Sequence, residues 1–233
     1  MTSNPIADPR LYVALDLPSI KEARAMVDAL EDSVVSYKIG LQLLPLGGCE
    51  FGQDLVAAGK NVFFDFKLHD IDATVEKATR SIAPMGANLL TVHARPDVMR
   101  AAAKGAEGSN LKVLGVTVLT SLDKAALKAI GYHEDAKTLV MRRVKQAVES
   151  GIHGVVSSPL EAAMIRSSGV PDDFLIVTPG VRMPGGDKGD QKRVATPQAA
   201  LTSGASHIVI GRPITQAPDP RAAARAVLEN IRG

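Results

Sequence analysis

The chain of 233 residues has a single cysteine, no tryptophan and only 3% aromatic residues. One thiol, Cys49, excludes an internal disulfide, and with no Cys/His spacing around it a zinc site is not expected. It reads as a small apolar residue of the interior. The scarcity of rings removes the stacking platforms that single-stranded nucleic acids need. An excess of one charge is also missing: 27 Lys and Arg stand against 25 Asp and Glu, a formal +2. These charges are interspersed, which argues against a nucleic-acid partner and for a small anion. No window approaches the roughly 18 apolar residues of a membrane span. The start of the chain also lacks the basic and apolar regions of a secretory signal. A cytoplasmic location, with no membrane partner, is the expectation.

What the sequence does contain is alternation. Short Val/Ile/Leu-rich runs begin near Leu11, Val35, Asn61, Asn88, Lys112, Gly154, Phe174 and His207. Between them lie Ala/Glu/Lys/Arg-rich stretches of helical period, among them 19–31, 73–83, 138–150 and 220–231. Many of these stretches close on glycine before the next run, at Gly59, Gly86, Gly151, Gly169 and Gly204, where a left-handed residue ends a helix cheaply. No linker-like composition divides the chain. The expectation is one α/β domain over residues 1–233, a (β/α)8 TIM barrel. A doubly wound open sheet is the competing architecture, and eight evenly spaced strands favour closure.

In a parallel barrel the chemistry gathers at the C-terminal strand ends. Asp16, Lys38, Asp65 with Lys67, His93, Thr120 and Gly211 with Arg212 fall at or near the ends of predicted strands one, two, three, four, five and eight. On strand three, residues two apart share a face, so Phe64 and Phe66 pack outward while Asp65 and Lys67 point into the barrel. Burying an unpaired charge is costly, so these two should pair, and at about 4 Å they attract by roughly 4 kcal/mol at an effective dielectric of 20. Lys38 and Asp70 can extend the pair into an alternating row that holds one lysine protonated and aimed at a reacting carbon. A structural salt-bridge network produces the same pattern; its position on the catalytic rim favours chemistry. The second informative region is the glycine-rich stretch 178–191, with Gly211-Arg212 after strand eight. Loops after strands seven and eight often hold phosphate in barrels, with backbone N–H groups and an Arg fork facing the oxygens. The long loop reads as a lid carrying Gln191.

These residues carry a resemblance. Asp65-Phe-Lys-Leu-His-Asp-Ile-Asp-Ala-Thr74, Tyr37-Lys38-Ile-Gly, Leu119-Thr-Ser121, Thr178-Pro-Gly-Val-Arg182, Gly189-Asp-Gln-Lys-Arg193 and Ile210-Gly-Arg-Pro213 closely resemble the orotidine 5′-phosphate decarboxylase family, from about Leu11 to the end. The resemblance implies a (β/α)8 homodimer that makes uridine monophosphate, the last step of pyrimidine nucleotide synthesis, without metal or organic cofactor. It implies Lys67 as proton donor to C6 of the pyrimidine and Asp65 beside the departing carboxylate. Lys38 and Asp16 would hold the ribose hydroxyls, and Asp70 and Thr74 would reach into the partner's site. Thr120 would contact the pyrimidine, Gln191 would bridge base and phosphate, and Arg182, Gly211 and Arg212 would serve the phosphate. One departure is visible: Asp72-Ala73 stands where the family usually has Pro-Asn, and Asp72 suits an N-cap or first-turn position.

Two other readings compete. A magnesium-dependent keto-sugar phosphate decarboxylase or hexulose phosphate synthase shares the Asp-x-Lys-x-x-Asp pattern. Those relatives carry a glutamate at the end of strand two, where this chain has Lys38, and an ammonium cannot ligate Mg²⁺. The other is a barrel that binds a phosphoribosyl ligand without turnover; loss of Lys67 or of an acid would favour it, and all three residues are present.

Overall fold

Eight short apolar runs emerge as eight parallel strands because each is bounded by a helix that covers its outer face. A computed structural model describes residues 7–119, 122, 124–185 and 195–233. The strands are β1 Leu11–Ala14, β2 Ser36–Gly40, β3 Asn61–Leu68, β4 Leu89–His93, β5 Lys112–Val116, β6 Gly154–Val156, β7 Leu175–Thr178 and β8 His207–Ile210. Each pairs in parallel with the next, and β8 pairs with β1, so the sheet closes into a barrel. Among the described residues the open doubly wound sheet is thereby excluded. The α-helices are α1 Ile20–Leu30, α2 Gly48–Ala57, α3 Asp72–Ile82, α4 Pro96–Ala106, α5 Lys124–Ala129, α6 Ala136–Glu149, α7 Ala162–Arg166, α8 Pro197–Thr202, α9 Arg212–Thr215 and α10 Pro220–Arg232.

Local chemistry sets the helix ends. Ser19 accepts the Glu22 N–H, Asp135 that of Thr138 and Asp219 that of Ala222, each satisfying a backbone donor the helix leaves unpaired. The five glycines expected to end helices all adopt positive φ, between 70° and 102°. At Gly105 a close approach matters: a Cβ there would lie 2.5 Å from the Glu76 carbonyl oxygen, so α4 packs directly on the backbone of α3.

Two apolar layers result. Leu, Val, Ile and Phe side chains, Phe64 and Phe66 included, fill the space between sheet and helices. A smaller cluster of Tyr12, Phe63, Leu89, Leu114 and Val177 plugs the barrel interior, with the Tyr12 and Phe63 rings edge to face at 5.7 Å. This plug is the floor on which the charged site stands. No described helix is long and apolar enough to cross a membrane.

Candidate active site

Three adjacent strands raise one charged row above that floor. β1 ends at Ala14, yet the Leu15 N–H still donates to the Lys38 carbonyl, carrying Asp16 to the rim two residues beyond the strand. Lys38 Nζ lies 3.1 Å from Asp16 Oδ1 and 3.3 Å from Asp65 Oδ2. Lys67 Nζ lies 2.8 Å from Asp65 Oδ1. The row therefore runs acid, base, acid, base: Asp16, Lys38, Asp65, Lys67. Side-chain exposure is 9% for Lys38 and 15% for Asp65, against 27% for Lys67, so the inner pair anchors the row and Lys67 faces the cavity.

Burial works against both inner charges, and pairing overrides it. Burial raises the Asp65 pKa, but Lys38, Lys67 and their hydrogen bonds hold it below the ordinary carboxylate value. Burial lowers that of Lys38, but Asp65 and Asp16 together hold it above the ordinary lysine value. A Cβ at Gly40 would lie 2.9 Å from both Asp16 Oδ1 and Lys38 Nζ, so a larger residue there would displace the two charged ends from this arrangement.

The expected alternation on β3 is present. Phe64 and Phe66 stack at 4.8 Å on the outer face, while Asp65 and Lys67 face inward. Regular pairing does not continue through this stretch: Phe64 pairs with Leu90 and Leu68 with Val92, with a bulge between. Within it Lys67 adopts φ 49°, a left-handed conformation uncommon for a residue with a side chain. Bulges beside active sites re-aim a side chain, and here the residue re-aimed is Lys67.

Asp70 does not extend the row within the chain, contrary to the alternation expected from the sequence. β3 ends at Leu68 and the chain turns outward, leaving Asp70 exposed with its Oδ1 accepting the Ile71 N–H at 2.7 Å. Within the chain it is Asp16 that extends the row, through its ion pair with Lys38. Thr74 lies exposed in the first turn of α3. That helix starts without the family's usual proline: Ile71, extended at φ −62° and ψ 151°, is the N-cap, and Asp72 is a first-turn acid. The rings of His69 and His93 lie 4.7 Å apart, tilted by 35°, and burial, His69, Arg143 and Lys67 hold the His93 pKa below the ordinary histidine value.

A cavity of about 470 Å³ opens over the row. On its β1 to β3 side stand Asp16, Lys38, Asp65 and Lys67; Arg182, Gly211 and Arg212 enter from β7 and β8. Val181 bridges to Ala195, and the Arg182 N–H donates to the Ala195 carbonyl, so the glycine-rich loop leaves and re-enters at one point. Thr120 and Gln191 lie outside the described residues.

Sequence reasoning overlooked several residues of the site. Thr91 on β4 is fully buried and bonded to Asp65; Ser157, just after β6, lines the cavity and donates to the buried Glu161 at 2.9 Å. Thr91 was accessible from alternation, since it shares the inner face of β4 with Leu89 and His93. Ser157 and Gly40 carry no such signal, because each matters through a residue distant in sequence that folding brings to it: Thr117 after β5 for Ser157 and Asp16 after β1 for Gly40.

The family model described as "Orotidine 5'-phosphate decarboxylase / HUMPS family" matches residues 9–227. An orotidine 5'-phosphate decarboxylase of Caulobacter sp. (strain K31) is 56% identical over 227 residues, covering 97% of this chain and 99% of the relative. One from Caulobacter vibrioides (strain NA1000 / CB15N) is 55% identical over 231 residues, with 97% and 99% covered. The crystal structure of orotidine 5'-phosphate decarboxylase from Lactobacillus acidophilus superposes with a TM-score of 0.84 at 34% identity, covering 97% of this chain and 100% of that one. A match of this extent, on a closed barrel with the charged row at its rim, makes the chain a member of the orotidine 5'-phosphate decarboxylase / HUMPS family.

Proposed function

We propose that this enzyme converts orotidine 5′-monophosphate to uridine monophosphate and CO2 in pyrimidine synthesis, as a single barrel domain that needs no metal. The observation that carries this reading is one carboxylate, Asp65, held between two ammoniums, Lys38 and Lys67, in the wall of a cavity with two arginines on its far side. As the bond from C6 to the carboxylate breaks, its electron pair stays on C6 and Lys67 transfers a proton there. A cation next to a developing carbanion stabilises it and supplies the proton. Asp65 fixes the Lys67 ammonium and lies beside the departing group, while Lys38 and Asp16 hold the ribose hydroxyls. Thr120 contacts the pyrimidine and Gln191 bridges base and phosphate. Arg182, Gly211 and Arg212 hold the phosphate, and binding energy gathered there, remote from the scissile bond, orders the reacting end.

Lys38 also speaks against magnesium chemistry. Its ammonium lies within 3.3 Å of both carboxylates that a cation at this position would need.

The working unit is a homodimer in the cytoplasm. Asp70 points away from its own row, next to Ile71, an apolar side chain left 66% exposed, and Thr74 follows on the same edge. Such an edge suits a second copy, with Asp70 and Thr74 completing the partner's site. The decisive experiment follows the ultraviolet absorbance of orotidine monophosphate after adding protein in excess EDTA. Conversion to uridine monophosphate is expected; no conversion by folded protein refutes the reading, and turnover only with added magnesium refutes its metal-free form.

A further inference from the structure

The bulge that aims Lys67 needs something to hold it, because a residue with a side chain does not rest in the left-handed region without support. The support comes from the facing strand. Thr91, between the paired residues Leu90 and Val92 of β4, places its hydroxyl opposite the bulge. Its Oγ1 accepts the Lys67 backbone N–H at 3.0 Å and donates to Asp65 Oδ1 at 2.9 Å. The same Oδ1 receives the Lys67 ammonium at 2.8 Å. These contacts form a closed ring that starts at the Lys67 backbone, passes through the Thr91 hydroxyl and the Asp65 carboxylate, and returns to the Lys67 side chain. Thr91 is 0% exposed, so no solvent water can take over its bonds.

We infer that Thr91 is a positioning residue for decarboxylation, its hydroxyl holding Lys67 and Asp65 in a fixed mutual aim. The inference rests on the reading of Lys67 as proton donor. A hydroxyl has one proton to give and lone pairs to receive, and here both capacities are engaged in opposite directions. Valine has the same shape and keeps the strand preference but can do neither. The ring then opens at two points: the Lys67 N–H loses its acceptor and Asp65 a neutral donor. Serine retains both bonds.

Thr91→Val should fold, lower kcat about 10- to 100-fold and leave KM and uridine monophosphate affinity within about threefold, because the ligand-holding groups are untouched. Thr91→Ser should recover most of the loss. A crystal structure of Thr91→Val should show Lys67 out of its left-handed conformation or its Nζ displaced from Asp65. Wild-type kcat in the valine variant, or a serine variant as impaired as valine, overturns the inference. So does an unmoved Lys67 in the valine crystal. Should the valine variant fail to fold, hydrogen exchange of the Lys67 amide in the wild-type protein decides: slow exchange is required and fast exchange overturns the inference. Failure of the underlying reading looks different, since the wild-type protein then lacks decarboxylation while the crystal and exchange measurements still judge the ring.

Discussion

Phe63 and Asp65 stand two positions apart on β3 and face the same barrel interior, yet one lies in an apolar plug and the other in a row of charges. Phe63 packs edge to face on Tyr12 and needs no polar partner. Asp65 has two ammoniums and a hydroxyl on its carboxylate. The difference shows how a barrel divides its labour along a strand. The lower layer closes the interior by shape and volume and asks only for close packing; the upper layer carries charge away from bulk water, which is tolerable only when each group is answered.

Breaking the upper layer should have the larger effect on function. Lys67→Ala is expected to reduce turnover by at least about 10³-fold while calorimetry still detects uridine monophosphate binding, since proton transfer and carbanion stabilisation are lost together. Near-normal turnover removes Lys67 from the mechanism. The same variant tests the shared site: mixed with Asp70→Asn protein, it should regain activity, because one site of each mixed dimer then has both residues intact. No recovery in confirmed mixed dimers argues that Asp70 serves its own chain.

Breaking the lower layer should act on stability instead. Phe63→Ala removes a fully packed ring and should cost about 3–5 kcal/mol in chemical denaturation, with residual activity in the fraction that stays folded. A loss far smaller than this means that the plug collapses to fill the space.

Acidity should separate the layers with the smallest effect. The Asp65 pKa lies below its ordinary 3.8, so its contribution to stability is present above that value and lost only as pH falls further. That of Lys38 lies above its ordinary 10.5, so its contribution holds below that value and is lost as pH rises past it. These two groups of the row therefore leave stability unchanged between pH 5.5 and 7.5. His153 and His207, at the opposite end of the barrel, behave otherwise. Burial holds both below the ordinary 6.5, and the His153 ring nitrogen accepts the Val113 N–H. Their contribution is present above 6.5 and declines as pH falls beneath it. The unfolding temperature should drop by a few degrees from pH 7.5 to 5.5, and less steeply in His153→Asn/His207→Asn. An unchanged slope in the double variant places the acid sensitivity elsewhere.

Much of this architecture was legible in advance. All eight strands begin within one residue of the positions read from hydrophobic runs, because a strand covered on its outer face by helices and filled within is apolar throughout. The separation of Asp65 and Lys67 from Phe64 and Phe66 followed from the two-residue period. Asp70 lies beyond the reach of that period, which holds only while the strand lasts: β3 ends at Leu68, so alternation says nothing of where Asp70 points. The sequence pattern places the starts of α3 and α6 one and two residues after the observed Asp72 and Ala136, because the first turns next to the caps Ile71 and Asp135 lie outside the apolar repeat.

The order of residues along the chain settles the alternation of strands and helices, the faces of β3 and the kinds of groups available at the rim. These are short-range matters, governed by backbone sterics and by where neighbouring side chains must point. It leaves open which groups meet. That Lys38 lies between Asp16 and Asp65, that Gly40 leaves room for them, and that Thr91 supports the bulge at Lys67 depend on closure of the barrel and on register between strands. Charge pairing and hydrogen bonding act over about 3 Å, and only the folded chain brings residues more than twenty positions apart within that reach.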